Sequence, residues 1–236
     1  MARVVSVVMP VKNGAAYLAA ALDSVCSQSC PPDEIIVADD GSTDDTARLA
    51  SGFDARVRVI SGPFGSAAAG RNAGVAAARG DVLAFLDHDD LWTAGRLERQ
   101  LALLAREPAV ELVLGQTQRV REHEGQLVPL GPPAAEPSLG ALLVTRAAFE
   151  RVGPLDETKT YDEDVDWFLR AREAGIPARA DTELAQIYRR HATNATNARA
   201  ADIRGFFTAL RDSIARRRGE DGEVRSLSGW PLDDAS

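Results

Sequence analysis

The chain has 236 residues, 45% of them hydrophobic, and a formal net charge of −8 from 27 Lys and Arg against 35 Asp and Glu. This length and composition predict a globular chain with room for one α/β domain and a large core, not a disordered one. The acidic balance argues against nonspecific nucleic-acid binding, which needs a basic surface, so we expect no nucleic acid among the partners.

The apolar segments and the cysteines both favour the cytoplasm. Residues 4–9 form an apolar run that is too short for the core of a signal peptide and stops at Pro10. No stretch approaches the roughly 20 apolar residues of a membrane span. Cys26 and Cys30 have a helical spacing that disfavours a disulfide, so we expect two free thiols in a reducing compartment. We therefore expect a cytoplasmic protein.

In the first half of the chain, apolar runs typical of buried strands alternate with helical patterns. The strands are predicted at residues 4–9, 34–38, 56–60, 82–86 and 110–114. This alternation predicts a mostly parallel sheet with right-handed crossovers.

Local signals predict where three of the intervening helices begin. Ser42, with Asp45 three residues on, has the form of a capping box. Residues 67–78 predict a helix of small side chains that contains Arg71 and sits close to the sheet. Asp90 and Thr93 are predicted at the start of a further helix.

After residue 114 the pattern changes to shorter, mixed elements. They comprise a hairpin of residues 116–121 and 126–128, a Pro- and Gly-rich loop at 131–137, a strand and helix within 142–152, a helix from 161–167 to 174, a strand at 185–189, a helix at about 200–218 and a polar tail to 236. No linker is long enough to separate two domains, so we expect one domain over residues 1–218. About 1–114 would bind a nucleotide and 115–198 an acceptor.

Asp87, His88, Asp89 and Asp90 follow the apolar run at 82–86. Carboxylates this close repel one another, and a divalent cation resolves the conflict. Mg2+ and Mn2+ take carboxylate oxygens together with water and substrate phosphates, and open α/β sheets bind ligands at the carboxyl ends of strands. Asp87 and Asp89 therefore predict a metal and diphosphate site. An acidic loop that caps the next helix remains the alternative on these residues alone.

Three further motifs accompany these carboxylates in order along the chain. They are Pro10-Val11-Lys12-Asn13-Gly14, Asp39-Asp40-Gly41-Ser42 and Arg71-Asn72-Ala73-Gly74. From about residue 4 to 191 the chain resembles the family 2 glycosyltransferases. The resemblance implies a GT-A fold, an α/β Rossmann-like and mostly parallel sheet with helices on both faces and a small mixed acceptor-side region. It also implies inverting transfer of a sugar from a nucleoside diphosphate, with UDP expected first.

The resemblance implies a donor site at the carboxyl ends of the first strands. Asp39 and Asp40 would hold the base and ribose, and Arg71 the diphosphate; capping of the next helix and a solvated charge are the respective alternatives. His88 stands where the family has a small residue, and we expect it to face away, into the sheet. The expected nucleotide-sugar-binding residues are Pro10, Val11, Asn13, Asp39, Asp40, Arg71, Asp87 and His88.

The resemblance also implies a metal centre and a base. Asp89 and Asp87 would ligate Mn2+ or Mg2+, with His191 of a Tyr-Arg-x-His segment as a third ligand and Arg189 or Arg190 on the phosphates. Glu163 and Asp164 match the family's Glu-Asp motif. Asp164 is expected to be the catalytic base, with Glu163 the second candidate. The alternative is an acidic cluster that favours the helix dipole.

The C-terminal helix carries an apolar stripe of Ile203, Phe207, Leu210 and Ile214. Residues 199–218 contain six Arg and two Asp, a local charge of +4. A basic amphipathic helix can lie on an anionic membrane, where lipid-linked acceptors are found. The alternative is that the stripe packs on the enzyme or on a second subunit.

Three other functions are less consistent with the sequence than sugar transfer. A sugar-nucleotide nucleotidyltransferase would need a glycine-rich, basic loop after the first strand, which residues 10–14 do not supply. A dehydrogenase is disfavoured because no G-x-G-x-x-G follows that strand. A catalytically silent nucleotide-sugar binder is disfavoured by the intact Asp87, Asp89 and Asp164. The acceptor hydroxyl could belong to a glycan, a lipid-linked glycan or a small molecule.

Overall fold

The computed structural model describes residues 3–159, 162–191, 204–219, 222–227 and 230. The strands are β1 (Val5–Val11), β2 (Glu34–Asp39), β3 (Val57–Ser61), β4 (Val82–Phe85), β5 (Leu91–Trp92), β6 (Leu112–His123), β7 (Gln126–Pro129), β8 (Leu142–Thr145) and β9 (Ala178–Arg190). The helices are α1 (Leu18–Cys26), α2 (Thr46–Ser51), α3 (Ala67–Ala77), α4 (Arg96–Arg106), α5 (Arg146–Val152), α6 (Glu163–Glu173) and α7 (Arg204–Arg217).

The strands form one mixed sheet in the order β3-β2-β1-β4-β8-β6-β9-β5, with β7 paired to the far half of β6. β1 runs parallel to both β2 and β4, β2 to β3, and β6 to β9. Only β8 interrupts this pattern in the middle of the sheet, where it lies antiparallel between β4 and β6. The predicted mostly parallel sheet with a smaller mixed region is confirmed.

Helices cover both faces of the sheet because its central strands are apolar on both sides. β1, β2 and β4 are buried along their whole length. One core cluster joins one face to α1 and α4 through side chains such as Leu22 and Leu97. The other joins the opposite face to α3, α5 and α6 through side chains such as Phe149 and Trp167.

Helix α3 approaches β1 closely because it presents glycine there. A Cβ added at Gly74 would overlap the side chain of buried Val8. We expect Gly74→Ala to lower the free energy of unfolding by about 1–3 kcal/mol, since the helix must move off a packed strand. Denaturant unfolding measures this, and Gly52→Ala is the control, because its Cβ would meet only a backbone oxygen at 3.6 Å. Equal denaturation midpoints for the two variants would contradict the close packing of α3 on β1.

Two predicted helix starts are wrong, because the three polar residues concerned bond to other partners. Helix α2 begins at Thr46, and the Ser42 hydroxyl donates to Asp39 instead of capping it. Helix α4 begins after Gly95, and the Thr93 hydroxyl donates to the Leu184 carbonyl. Asp90 is buried and precedes the short strand β5, not a helix.

Two strands of the second half are longer than the sequence pattern indicates. The runs predicted at residues 110–114 and 116–121 belong to one strand, β6, and β9 extends well beyond the predicted 185–189. Gly115, which separates the two predicted runs, lies inside β6 where the register with β9 shifts, and a Cβ there would overlap Ala185 of β9. In the described part of the chain, no helix combines the length and apolarity needed to cross a bilayer.

Candidate active site

Three carboxylates gather just beyond the carboxyl end of β4. Asp87, Asp89 and Asp90 each offer an oxygen, and these oxygens lie within 4.8 Å of one another. A divalent cation suits such a group of hard oxygen donors. Asp87 and Asp89 are half-buried, so each keeps access to the edge of the sheet. The residues therefore fit the metal that sequence analysis predicted there.

Asp90 differs from the other two carboxylates because the protein already uses both of its oxygens. It accepts hydrogen bonds from the Gln186 side chain at 2.7 Å and from the Arg189 amide at 2.9 Å. Burial, together with the charges of Asp89 and Asp87, raises the pKa of Asp90 well above its usual value. Asp90 thus fastens the end of β9 to the carboxylate loop.

This attachment brings His191 to the candidate metal centre. Its Nε2 lies 3.1 Å from an Asp89 carboxylate oxygen. The imidazole stacks on the Tyr17 ring, with centroids 4.3 Å apart, and the Arg189 guanidinium lies 5.2 Å from the same ring. Sequence analysis gave no role to Tyr17, because a lone aromatic before a helix carries no signal of its own.

Arg71 joins the carboxylates of β4 to the acidic start of α6. It is buried and donates to Asp87 at 2.5 Å and to Glu163 at 2.7 Å, which are 16 and 92 residues away along the chain. Burial alone would lower the pKa of Arg71, but the charges of Asp87 and Glu163 outweigh it and raise the pKa above its usual value. A bidentate guanidinium can make these two contacts at fixed geometry.

We expect Arg71→Met to lower the free energy of unfolding by about 3–5 kcal/mol, because it leaves the buried Glu163 carboxylate without its partner. Chemical denaturation followed by circular dichroism measures the loss. Arg48→Met is the matched control, since its ion pair with Asp45 is exposed and such pairs contribute about 0–1 kcal/mol. Similar losses of unfolding free energy in the two variants would contradict the buried ion pairs that Arg71 makes with Asp87 and Glu163.

Loops after β1 and β2 hold each other beside the carboxylates. Asn13 adopts a left-handed backbone with φ 52°, which asparagine tolerates better than most residues. Its backbone amide donates to the Ser42 hydroxyl at 2.8 Å, and its side-chain oxygen accepts from the Thr43 backbone amide at 2.8 Å. Asp39 is buried and accepts from the Ser42 amide at 3.1 Å. These contacts fix the loops at the carboxyl ends of both strands.

Asp40 links two more segments to the same edge. One oxygen pairs with Lys12 at 3.0 Å and the other accepts from the Gly65 amide at 2.7 Å. Burial alone would raise the pKa of Asp40, but the Gly65 amide and Lys12 outweigh it and lower the pKa. Asp40 therefore holds the loop that leads into α3.

The remaining residues assigned to the donor lie at the same end of the sheet in different settings. Pro10 and Val11 are buried in β1, where Pro10 faces α3 near Gly70.

The expectation that His88 faces into the sheet is wrong. Its half-buried ring lies against Gly14 in the loop after β1, because that glycine leaves room for it.

The N-cap and the first turn of α6 together carry four acidic residues in different environments. Asp162, Glu163 and Asp166 are buried, whereas Asp164 is half-buried. Asp166 pairs with Arg170 at 2.8 Å, and Glu163 pairs with Arg71. Asp164 is thus the most accessible acid of this turn. The hydrogen bond to Glu136 raises the pKa of Arg119 on β6, and the charge of Asp164 adds a smaller effect in the same direction.

The mostly parallel sheet, with carboxylates beyond the ends of its strands that could hold a divalent cation, defines an α/β protein with its candidate site at one edge of the sheet. The chain belongs to glycosyl transferase family 2, whose sequence description matches residues 6–132. The fold is of the GT-A type. Staphylococcus aureus TarS 1–349 in complex with UDP-GlcNAc superimposes with a TM-score of 0.74 at 19% identity, over 93% of this chain and 68% of TarS 1–349.

Curated relatives extend the likeness at the level of sequence. A Rickettsia prowazekii protein described as an uncharacterized glycosyltransferase is 26% identical over 82% of this chain and 66% of its own length. The Escherichia coli UDP-Glc:alpha-D-GlcNAc-diphosphoundecaprenol beta-1,3-glucosyltransferase WfgD is 36% identical over 43% of this chain and 41% of its own length. The chain thus spans two thirds or less of the length of these two relatives.

Proposed function

We propose that this chain transfers a sugar from a nucleoside diphosphate, UDP first, to an acceptor hydroxyl, with Mn2+ or Mg2+ and with inversion. The observation that carries the proposal is that Arg71 pairs with both Asp87 and Glu163, which we call the Arg71 junction. It joins the carboxylates that fit a metal to the acidic turn that fits a base. A single displacement needs a metal at the donor diphosphate and a base at the acceptor hydroxyl at the same time, so the direct connection of the two segments supports that reaction.

Asp89 and Asp87 would hold the cation, with His191 beside them. A bound cation would stabilise the negative charge of the departing diphosphate. The donor would lie along Asp39, Asp40 and the 10–14 loop. The choice of UDP draws on the relatives, since WfgD is named for UDP-Glc and TarS was solved with UDP-GlcNAc and with UDP.

Asp164 would accept the proton of the acceptor hydroxyl as that oxygen attacks the anomeric carbon. Its greater accessibility supports this role over Glu163, whose carboxylate is buried against Arg71. An aspartate is ionised near neutral pH and can act within hydrogen-bond reach of the hydroxyl. Attack from the face opposite the leaving diphosphate inverts the anomeric carbon.

We also propose that residues 1–218 act as one unit, with the donor half at about 1–114 and the acceptor side at about 115–198. The Arg71 junction supports this division, because Asp87 belongs to the first half and Glu163 to the second.

The proposal is tested by incubating the full chain with a panel of nucleotide sugars, with Mn2+ and with EDTA. We expect release of the nucleoside diphosphate from at least one donor, and only with metal. Pyrophosphate formation from a nucleoside triphosphate and a sugar 1-phosphate would instead identify a nucleotidyltransferase. Binding without turnover, in the presence of a range of hydroxyl acceptors, would identify a silent binder.

A further inference from the structure

The outward face of α7 carries apolar and cationic side chains. The helix packs on α6 through its opposite face, where Ala209 and Ser213 are buried. Phe207 is 58% exposed and Ile214 41% exposed. Within the described part of the chain these two residues do not pack on the enzyme, which contradicts that half of the alternative, and Ile203 lies outside the described residues. We call Phe206, Phe207, Leu210, Arg211 and Ile214 the α7 outer face.

Exposed aromatic residues on a surface helix reverse the usual pattern, in which the solvent face is polar. Phe206 is also exposed, at 42%, and touches Phe207 edge to face. Apolar residues grouped in this way mark interaction sites more often than chance. The α7 outer face therefore indicates a binding surface.

The charges of α7 narrow the choice of partner. Asp212 is the one acidic residue of the helix, and it is shared between Lys159 at 3.0 Å and Arg211 at 3.5 Å. Arg211 projects with its side chain 76% exposed, next to the aromatic pair. The helix nevertheless carries four arginines against this one aspartate, and a face with large apolar groups on such a positively charged helix suits an anionic lipid surface.

A second copy of the chain fits this face less well. A two-fold dimer places the same patch of both copies in contact, so Arg211 and its neighbours would meet their own counterparts. Like charges brought together at a desolvated interface weaken association. An anionic bilayer meets the arginines with opposite charge.

The position of α7 connects this face to the acceptor side of the candidate site. Gly205, at the first turn of α7, lies so close to Asp162 that a Cβ would overlap its carboxylate. Asp162 immediately precedes Glu163 and Asp164 at the start of α6. The exposed aromatic pair thus follows directly after the contact with the proposed base segment.

We propose that the α7 outer face docks on an anionic lipid bilayer and so sets the acceptor side of the site at the membrane surface. The docking stands on the exposure and charge of α7, whereas the orientation of the acceptor rests on the proposed function. An acceptor that carries a lipid chain would then reach Asp164 from the bilayer.

Vesicle co-sedimentation of the full chain tests the docking, with phosphatidylcholine vesicles that contain or lack phosphatidylglycerol. We expect binding to the anionic vesicles at low salt that weakens as salt rises. The Phe206→Ser/Phe207→Ser protein should bind at least roughly 10-fold more weakly, since two aromatic rings no longer insert. Arg211→Glu should weaken binding about 5-fold or more.

Leu127→Ser/Val128→Ser is the matched control, because these residues are exposed to a similar degree, 40% and 38%, on the β6–β7 hairpin. It should bind vesicles like the wild type. Equal losses in both double variants would overturn the proposal, since they would indicate unspecific adsorption. Absence of vesicle binding at low salt would also overturn it, as would a wild-type dimer in sedimentation velocity that Phe206→Ser/Phe207→Ser dissociates.

Donor turnover in solution separates this proposal from the proposed function. Nucleoside diphosphate release from a soluble donor should be the same in the wild type and the Phe206→Ser/Phe207→Ser protein. If no donor is turned over while anionic vesicles still bind, the reaction is wrong and the docking stands. If donors are turned over and vesicles do not bind, the docking is wrong and the reaction stands.

Discussion

Replacing Asp89 with asparagine should remove metal-dependent nucleotide binding and leave the fold intact. Asp89 lies at the edge of the sheet, half-buried beside His191, and its side chain is not part of the core clusters. Asparagine keeps the size of the side chain but loses the charge that a divalent cation requires. Mutating a residue that only hydrogen-bonds to a metal ligand typically lowers metal affinity by about 10- to 100-fold. Losing the ligand itself should therefore lower metal affinity at least as much.

Calorimetric titration with UDP, in Mn2+ and in EDTA, measures the effect. The wild type should bind UDP more tightly with Mn2+, and the Asp89→Asn protein should bind equally in both buffers. A wild type with the same UDP affinity in Mn2+ and EDTA would rule out a metal and diphosphate site here.

Asp90→Asn is the comparison variant, because Asp90 belongs to the same run of carboxylates but its oxygens accept hydrogen bonds from β9. Its two oxygens accept from Gln186 and the Arg189 amide, and an asparagine amide group cannot accept the second of these bonds. We expect about 1–3 kcal/mol of lost stability, the cost of a buried polar group left unpaired. Unfolding by urea should thus shift for Asp90→Asn and remain unchanged for Asp89→Asn.

Replacing Asp164 with asparagine should lower turnover by about 10²–10⁴-fold, the usual contribution of a general base. Asparagine keeps the volume and can still hydrogen-bond the acceptor hydroxyl, but it cannot take its proton. Donor affinity should hardly change, because Asp164 would contact the acceptor and not the diphosphate. Steady-state kinetics with a confirmed acceptor, together with a nucleotide titration, separates the two effects.

Glu163→Gln distinguishes the two candidates for the base. Glu163 is buried and holds Arg71, so its loss of charge should reduce stability and disturb donor binding through Asp87. Its turnover with saturating donor should fall much less than that of Asp164→Asn. If Asp164→Asn keeps a near-normal kcat while Glu163→Gln is inactive, the roles of the two residues must be exchanged.

Sequence analysis located the edge of the sheet that carries the candidate site because strand ends are local features. The apolar run before Asp87 and the run before Asp39 end in charged residues, and parallel strands bring such ends together. The small side chains around Arg71 likewise predicted a helix close to the sheet. Each of these inferences needs only neighbouring residues.

The contacts that organise the site were not predictable in this way. Arg71 meets Glu163 across 92 residues, and no local pattern specifies that pairing. Asp90 has the same side chain as Asp87 and Asp89, and only the full length of β9 explains its burial. Gly115 separates two predicted runs, although it lies inside β6 where that strand packs closely against Ala185 of β9. Long-range packing decides all three cases.

The most direct test of a metal-assisted single displacement is proton magnetic resonance of the reaction with an α-linked nucleotide sugar and diamagnetic Mg2+. The signal of the free nucleoside diphosphate and that of the newly bonded sugar should rise together. The first product should carry the β configuration, and EDTA should stop both signals. Product that retains the α configuration would contradict the single displacement, and release that continues in EDTA would contradict the metal site.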